Sequence, residues 1–294
     1  MNRPEKWPPG ITSQSKIRVV ARLAIAARLR RVGKNLKRAV KESPEQAEPI
    51  HKLRTWSRRS AAAVELFRPL LPKKEGKWFA RKLKQVRRAA GDVRDLDVML
   101  EQATNNPCLS EELRKQRNRA LRPLEKLHKQ LVKSGAFERK QRRMLKKIDQ
   151  PKIRLGEWAA KRIGKQAKTL VALGSRKLTT VAAAHEFRIA GKELRYVLEI
   201  IGYALPSAAV KVDALLNNLQ QRIGIICDHA AAERMFQLLL TQVGHTERPP
   251  MQSAIYRAKK EKTRAHKAFL RWWTPSRRIA FRRALVGAGL LQRQ

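Results

Sequence analysis

Apolar residues return every third or fourth position along almost the whole chain, and no stretch alternates with the period of two that a half-buried strand requires. The phase of this pattern predicts helices over 16–41, 46–69, 75–91, 93–104 and 110–134, then a short basic helix over 137–148. A second series follows over 152–173, 181–203, 208–224, 226–243 and 250–273, with proline and glycine falling between the periodic segments. The expected fold class is therefore all-α.

Two series of similar helices suggest an internal duplication, and particular residues support it. With His51 set on His185, Arg54 falls on Arg188, Arg58 on Lys192 and Glu65 on Glu199. The apolar positions agree as well: Leu53 with Phe187, Val64 with Leu198, Phe67 with Ile201. Downstream, Gly91 matches Gly224 and Asp95 matches Asp228, and each Gly-x-x-x-Asp is expected at a junction between two helices. The chain thus divides into a first repeat over about 14–148, a second over about 152–273, and a basic C-terminal tail over 274–294.

Charge changes the picture from a generic helical protein to a polyanion receptor. The 294 residues carry 67 Lys and Arg against 24 Asp and Glu, a formal net charge of +43. Residues 1–150 hold +25 of this and the remainder +18, so the excess belongs to the folded body rather than to a basic arm. A body that repels itself so strongly is expected to meet a dense anion: nucleic acid, an acidic membrane or polyphosphate. Two cysteines, Cys108 and Cys227, make neither a disulfide framework nor a zinc site by themselves. The first ten residues lack the apolar run of a signal peptide, and no segment is long and apolar enough for an integral membrane helix. A cytoplasmic location is the expectation.

Drawn at 100° per residue, 183–203 gathers Phe187, Leu194, Leu198 and Ile201 on a core side. His185, Arg188, Lys192, Arg195, Tyr196 and Glu199 gather roughly opposite. In the first repeat Leu53, Trp56, Val64 and Phe67 face inward, with His51, Arg54, Arg58 and Glu65 opposite. A solvated face explains such a line on one helix. Its recurrence in both halves, with His at the same place and few acids on the line, favours phosphate contact, for which Arg supplies a fork and Lys a point charge.

His51-Lys-Leu-Arg54 with Arg58-Arg59, and His185-Glu-Phe-Arg188 through Lys192-Glu-Leu194-Arg195-Tyr196, resemble the two signature helices of the conserved histidine α-helical (CHAD) family. Gly91-Asp92-Val93-Arg94-Asp95-Leu96-Asp97-Val98 is similar to a further segment of that family. The resemblance spans about 14–273 and implies tandem-repeat helical bundles, two pseudo-symmetric halves whose basic faces line a shared groove or channel. It also implies binding of inorganic polyphosphate and association with polyphosphate granules. The site it marks comprises His51, Arg54, Arg58, Arg59, Arg94, His185, Arg188, Lys192, Arg195 and Tyr196, with Arg18, Arg22, Arg81, Lys84 and Arg88 as further candidates. Ala61 and Cys227 depart from the family's usual residues, and the Glu-x-Glu-x-Lys strand motif of the triphosphate hydrolase domain that often accompanies it is absent, so the chain resembles the stand-alone form.

Aromatic residues make up 5 % of the chain, and Tyr196 alone lies on a signature stripe. Single-strand nucleic-acid binders interleave stacking aromatics with charge, so a sequence-independent nucleic-acid binder, architectural or RNA-associated, is the alternative. No acidic cluster for Mg²⁺ accompanies the basic stripes, which favours binding without catalysis and without a cofactor or metal. Asp95 and Asp97 stand two apart on a helix and point in different directions, so Asp95 and Asp228 are read as partners that orient arginines. Cys227-Asp228-His229 is not read as a nucleophile pair, because neighbours on a helix do not face each other. Trp272-Trp273 reads as core and cap, and 277–291 as a frayed last helix rather than a surface anchor.

Overall fold

The computed structural model describes residues 10–43, 46–102, 107–149, 151–202, 205, 208–241 and 248–292, and at 102, 108, 109, 160, 161 and 208 the backbone alone. The Cys108 side chain, the first nine residues and the expected helix ends at 103–104, 203 and 242–243 lie outside the described residues. Ten α-helices account for nearly all of the rest: α1 (Ile17–Glu42), α2 (Glu48–Leu66), α3 (Lys73–Gln102), α4 (Pro107–His128), α5 (Ala136–Lys146), α6 (Leu155–Ser175), α7 (Val181–Ile201), α8 (Ala208–Leu240), α9 (Arg248–Trp272) and α10 (Pro275–Gly287). The fold is all-α, and the sole β pairing among the described residues is an isolated bridge between Lys16 and Arg154. None of the described helices is long and apolar enough to cross a membrane.

Two expected breaks are absent. Gly91 and Gly224, read as helix junctions, lie inside the uninterrupted helices α3 and α8. A glycine within a helix costs about 1 kcal/mol relative to alanine, which burial of the apolar residues on either side readily overrides. Here those residues are Ala90 and Val93 around one glycine and Ile223 and Ile226 around the other, all buried. Conversely, the helix expected to reach 134 stops at His128 and continues as a π-helical turn, Lys129–Lys133, before Gly135 at φ 68° opens α5.

The chain forms two compact units, Met1–Leu155 and Gly156–Gln294. In the first, α1 packs along α2 and also meets α4 and α5, while α3 lies against α2 and α4. Phe79 of α3 and Phe137 of α5 meet edge to face with centroids 5.2 Å apart. A buried ion pair, Arg117 Nε to Asp97 Oδ1 at 2.6 Å, fastens α4 to α3.

In the second unit α8 packs against α7, α9 and α10: Val212, Leu216, Leu219, Ile223 and Ile226 are buried along one face, and Phe236 is buried further along the helix. Thr180 caps α7 by accepting the Ala183 N–H at 3.1 Å. Trp273 stacks among Phe187, Phe269 and Phe281 and donates its indole N–H to the Gly174 carbonyl at 2.9 Å. A Cβ on Gly174 would come 2.9 Å from the Phe187 ring, so only glycine lets α6 end this close to α7. The segment expected to fray is the helix α10, which buries Phe281 and Leu285 and is capped by Thr274.

Candidate functional site: paired cationic grooves

Each signature helix buries the aligned apolar residues and lies along the long helix that follows it. Leu53, Val64 and Phe67 are buried in the first unit, as are Phe187, Leu198 and Ile201 in the second. That burial sets the rotation of the helix and so delivers the cations to one groove edge.

On α2, His51 is exposed and Arg54 and Arg58 are half-buried, the three on one side of the helix. Arg54 Nη1 stands 3.4 Å from Asp95 Oδ1, the orienting contact expected for that aspartate. The His51 imidazole is held below the usual histidine range, first by partial loss of hydration and then by the positive fields of Arg94, Arg54 and Arg58, against the weaker opposing field of Glu48. Those fields place Arg94 with the α2 line, although Arg94 also reaches Glu101 at 3.0 Å. Burial raises the Asp92 carboxyl, with Asp95 adding to the effect and Arg88 and Arg54 opposing it. Arg88 is thereby a neighbour of the same groove. Arg81 and Lys84 are exposed and share with Arg88, Asp92 and Asp95 one ridge of α3 at three- and four-residue steps. Arg18 and Arg22 lie on α1, half-buried and exposed, and no contact among the described residues ties them to this cluster.

On α7, Arg188 Nε donates to the Gln220 carbonyl of α8 at 3.4 Å, and its guanidinium lies over Gly224. Arg188 therefore takes its place from the α8 backbone and not from Asp228, the partner the repeat suggested. His185 Nδ1 stands 3.5 Å from Cys227 Sγ, so the histidine that meets this thiol comes from the neighbouring helix and not from position 229. Burial pushes the Cys227 thiol up, with Arg188, Lys192 and Arg234 opposing and Asp228 reinforcing. Position 227 corresponds to Arg94 of the first repeat, so one groove sets a guanidinium near its signature histidine where the other sets a thiol. Arg234 was not singled out by the sequence, though it stands two helical turns beyond Cys227 on the same face of α8.

Three expected contact residues belong elsewhere. Tyr196 is 6 % exposed and Glu199 5 %, because from Leu194 onward α7 is covered nearly all round and has no solvent side to offer. Arg195 is tied down beside them: its guanidinium donates to Asn217 Oδ1, lies 5.5 Å from the Tyr196 ring centroid and reaches Glu199 at 4.0 Å. Arg59 is 7 % exposed, packed over Trp56 at 5.0 Å, with Arg31 of α1 also on that ring at 5.7 Å. The groove lines are thus His51–Arg54–Arg58 and His185–Arg188–Lys192. Arg59 and Arg195 anchor the helices that carry them.

An all-helical fold with such a line in each unit defines a class of basic helical protein. The chain belongs to the CHAD domain family, whose model matches residues 23–237. Its fold is similar to the crystal structure of the CHAD domain from the plant Ricinus communis, with a TM-score of 0.66 at 19 % identity over 94 % of this chain and 93 % of that one. It is also similar to PptA from Streptomyces chartreusis, with a TM-score of 0.61 at 15 % identity over 88 % of this chain and 99 % of the other. No curated protein matches the sequence.

Proposed function

We propose that the chain binds inorganic polyphosphate without catalysis, through the cation lines His51–Arg54–Arg58 and His185–Arg188–Lys192, and that this binding brings it to polyphosphate granules. What supports the reading is the same line twice, each time on a helix packed along the next long helix. A phosphate polymer offers closely spaced charge and no base to stack upon, and a receptor for it needs aligned cations and little aromatic surface. The burial of Tyr196 removes the one aromatic of the signature stripes from solvent. This favours a phosphate polymer over single-stranded nucleic acid, whose receptors present stacking rings.

Competition tests the reading: labelled long-chain polyphosphate against duplex DNA and RNA at matched charge and physiological salt. Polyphosphate is expected to resist displacement, and the affinity to fall steeply and linearly in log–log form with added salt, as counterion release requires. Changing Arg54, Arg58, Arg188 and Lys192 to Gln is expected to cost about 2–5 kcal/mol of binding, the range for truncating close charged contacts. An equal charge change at the exposed Arg119, Arg122 and Lys126 of α4 together with Lys147 should shift it little. Equal weakening by the two sets would show that only the overall field attracts the polymer.

A further inference from the structure

The cations outside these grooves are not evenly spread. Helix α9 has eight Lys and Arg residues in its 25 and a single acid, Glu261. Met251, Ala258 and Phe269 bury its inner side, and Lys262 turns inward to Glu233 of α8 at 2.5 Å. On the opposite side Arg257, Lys260, Arg264, Lys267 and Arg271 are all exposed and follow one another at steps of three, four, three and four residues. That spacing makes a continuous ridge, with cations about 5–6 Å apart and about 21 Å from first to last. Among the described residues only Arg264 of this ridge meets an acid, Glu261 at 3.9 Å, with its side chain still 79 % exposed. The ridge ends at Trp272, where Arg222 of α8 and Arg277 of α10 stand 4.7 and 4.5 Å from the ring centroid, two further guanidiniums held in place by one indole.

A solvated face would mix in acids, and the first unit supplies the comparison. Helix α4 follows α3 as α9 follows α8, and its sequence sets Glu111, Glu112 and Glu125 among its cations, with Glu111 paired to Lys115 at 2.9 Å. The α9 ridge has less of that neutralisation, with one acid in the helix and a single 3.9 Å contact for five cations. It is also separate from the signature groove. Residues of α8 that meet α7 (Asn217, Gln220, Gly224, Cys227) and those that meet α9 (Arg222, Glu233) lie about half a helical turn apart, so α8 stands between the two rows.

We propose that the outward ridge of α9, completed by Arg222 and Arg277, is a second track for a phosphate polymer, so that one chain holds two strands at once and bridges them. The inference rests on the polyphosphate reading above and adds bivalency to it. Two attachments on one rigid unit convert a binder into a cross-linker without any new class of contact.

The test uses the full chain and inorganic polyphosphate of short and long chain length. Capture on an immobilised long chain, followed by a second, fluorescent long chain, reads bridging; titration with a short chain reads the groove. In the variant with Arg257, Lys260, Arg264, Lys267 and Arg271 changed to Gln, the second strand should be lost while short-chain affinity and circular dichroism hold. The lighter variant Lys260→Gln with Lys267→Gln should show a partial loss in the same direction. Bridging undiminished in both variants overturns the track. So does selective displacement of the second strand by duplex DNA, which would assign the ridge to nucleic acid. A wild type that retains no polymer of either length would instead remove the underlying polyphosphate reading.

Discussion

Arg188 of α7 lies across Gly224 of α8 so closely that a Cβ at that glycine would come 3.2 Å from its Nη2. Gly91, the matching residue in the first repeat, has nothing within 4 Å of the same hypothetical atom. The two glycines therefore give opposite expectations for one substitution. Each Gly→Ala exchange inside a helix should add about 0.4–1 kcal/mol of stability where no strain results. Gly91→Ala is expected to raise the melting temperature and leave polyphosphate binding unchanged. Gly224→Ala should cost affinity instead, because the arginine must shift to admit the methyl group. Thermal denaturation and binding titrations on both variants check this, and equal affinities would remove the positioning role of Gly224.

The Arg117–Asp97 pair is a fastener between α4 and α3, with both side chains almost wholly buried. Removing one partner of a buried ion pair leaves the other charge without compensation, at a cost of about 3–5 kcal/mol. Arg117→Ala should lose that much in denaturant unfolding at neutral pH. Burial raises the Asp97 carboxyl, with Arg117 opposing, so without the arginine it protonates still more readily. A raised folded-state value means stability is lost as pH rises, and the variant's deficit should therefore shrink in acid. A deficit independent of pH would contradict the assignment.

The helices, and the faces of α2 and α7 on which the two cation lines stand, were legible because they depend on local periodicity: the residues that bury α2 and α7 also fix which way His51 and His185 point. Helix continuity at Gly91 and Gly224 was not legible, since tertiary burial outweighs the local cost of a glycine. Nor was the burial of Tyr196, Glu199 and Arg59. A helical wheel shows one helix's faces, and α7 changes from half-covered to fully covered partway along its length. The His185–Cys227 contact joins residues 42 apart, which no spacing rule within one helix can find.

Ligand binding should show in stability. Aligned cations repel one another in the empty protein, and an anion that binds only the folded state relieves this and stabilises by mass action. Long-chain polyphosphate is expected to raise the melting temperature more than orthophosphate at equal phosphate concentration, because several contacts form at once on one polymer. Equal shifts for the two would indicate isolated phosphate sites and no extended groove.

The His51 imidazole gives the binding a pH signature. In the free protein its folded value is lowered by partial burial and by Arg94, Arg54 and Arg58. Its contribution to stability is therefore fully present above the unfolded value, about 6.5, and is lost as pH falls toward the folded one. A phosphate polymer on the groove line reverses the field at this residue: it screens the three guanidiniums and adds negative charge, so the imidazolium becomes favoured. Binding must then take up protons, and affinity must rise as pH falls through the window between the free and the bound values. Calorimetry in two buffers of different ionisation enthalpy measures that uptake directly. His51→Gln is expected to lower the proton uptake and flatten the pH slope, with the affinity at alkaline pH nearly retained, since a neutral imidazole supplies little of it there. An uptake identical in wild type and His51→Gln would place His51 outside the polymer's path, leaving Arg54 and Arg58 to hold the groove without it.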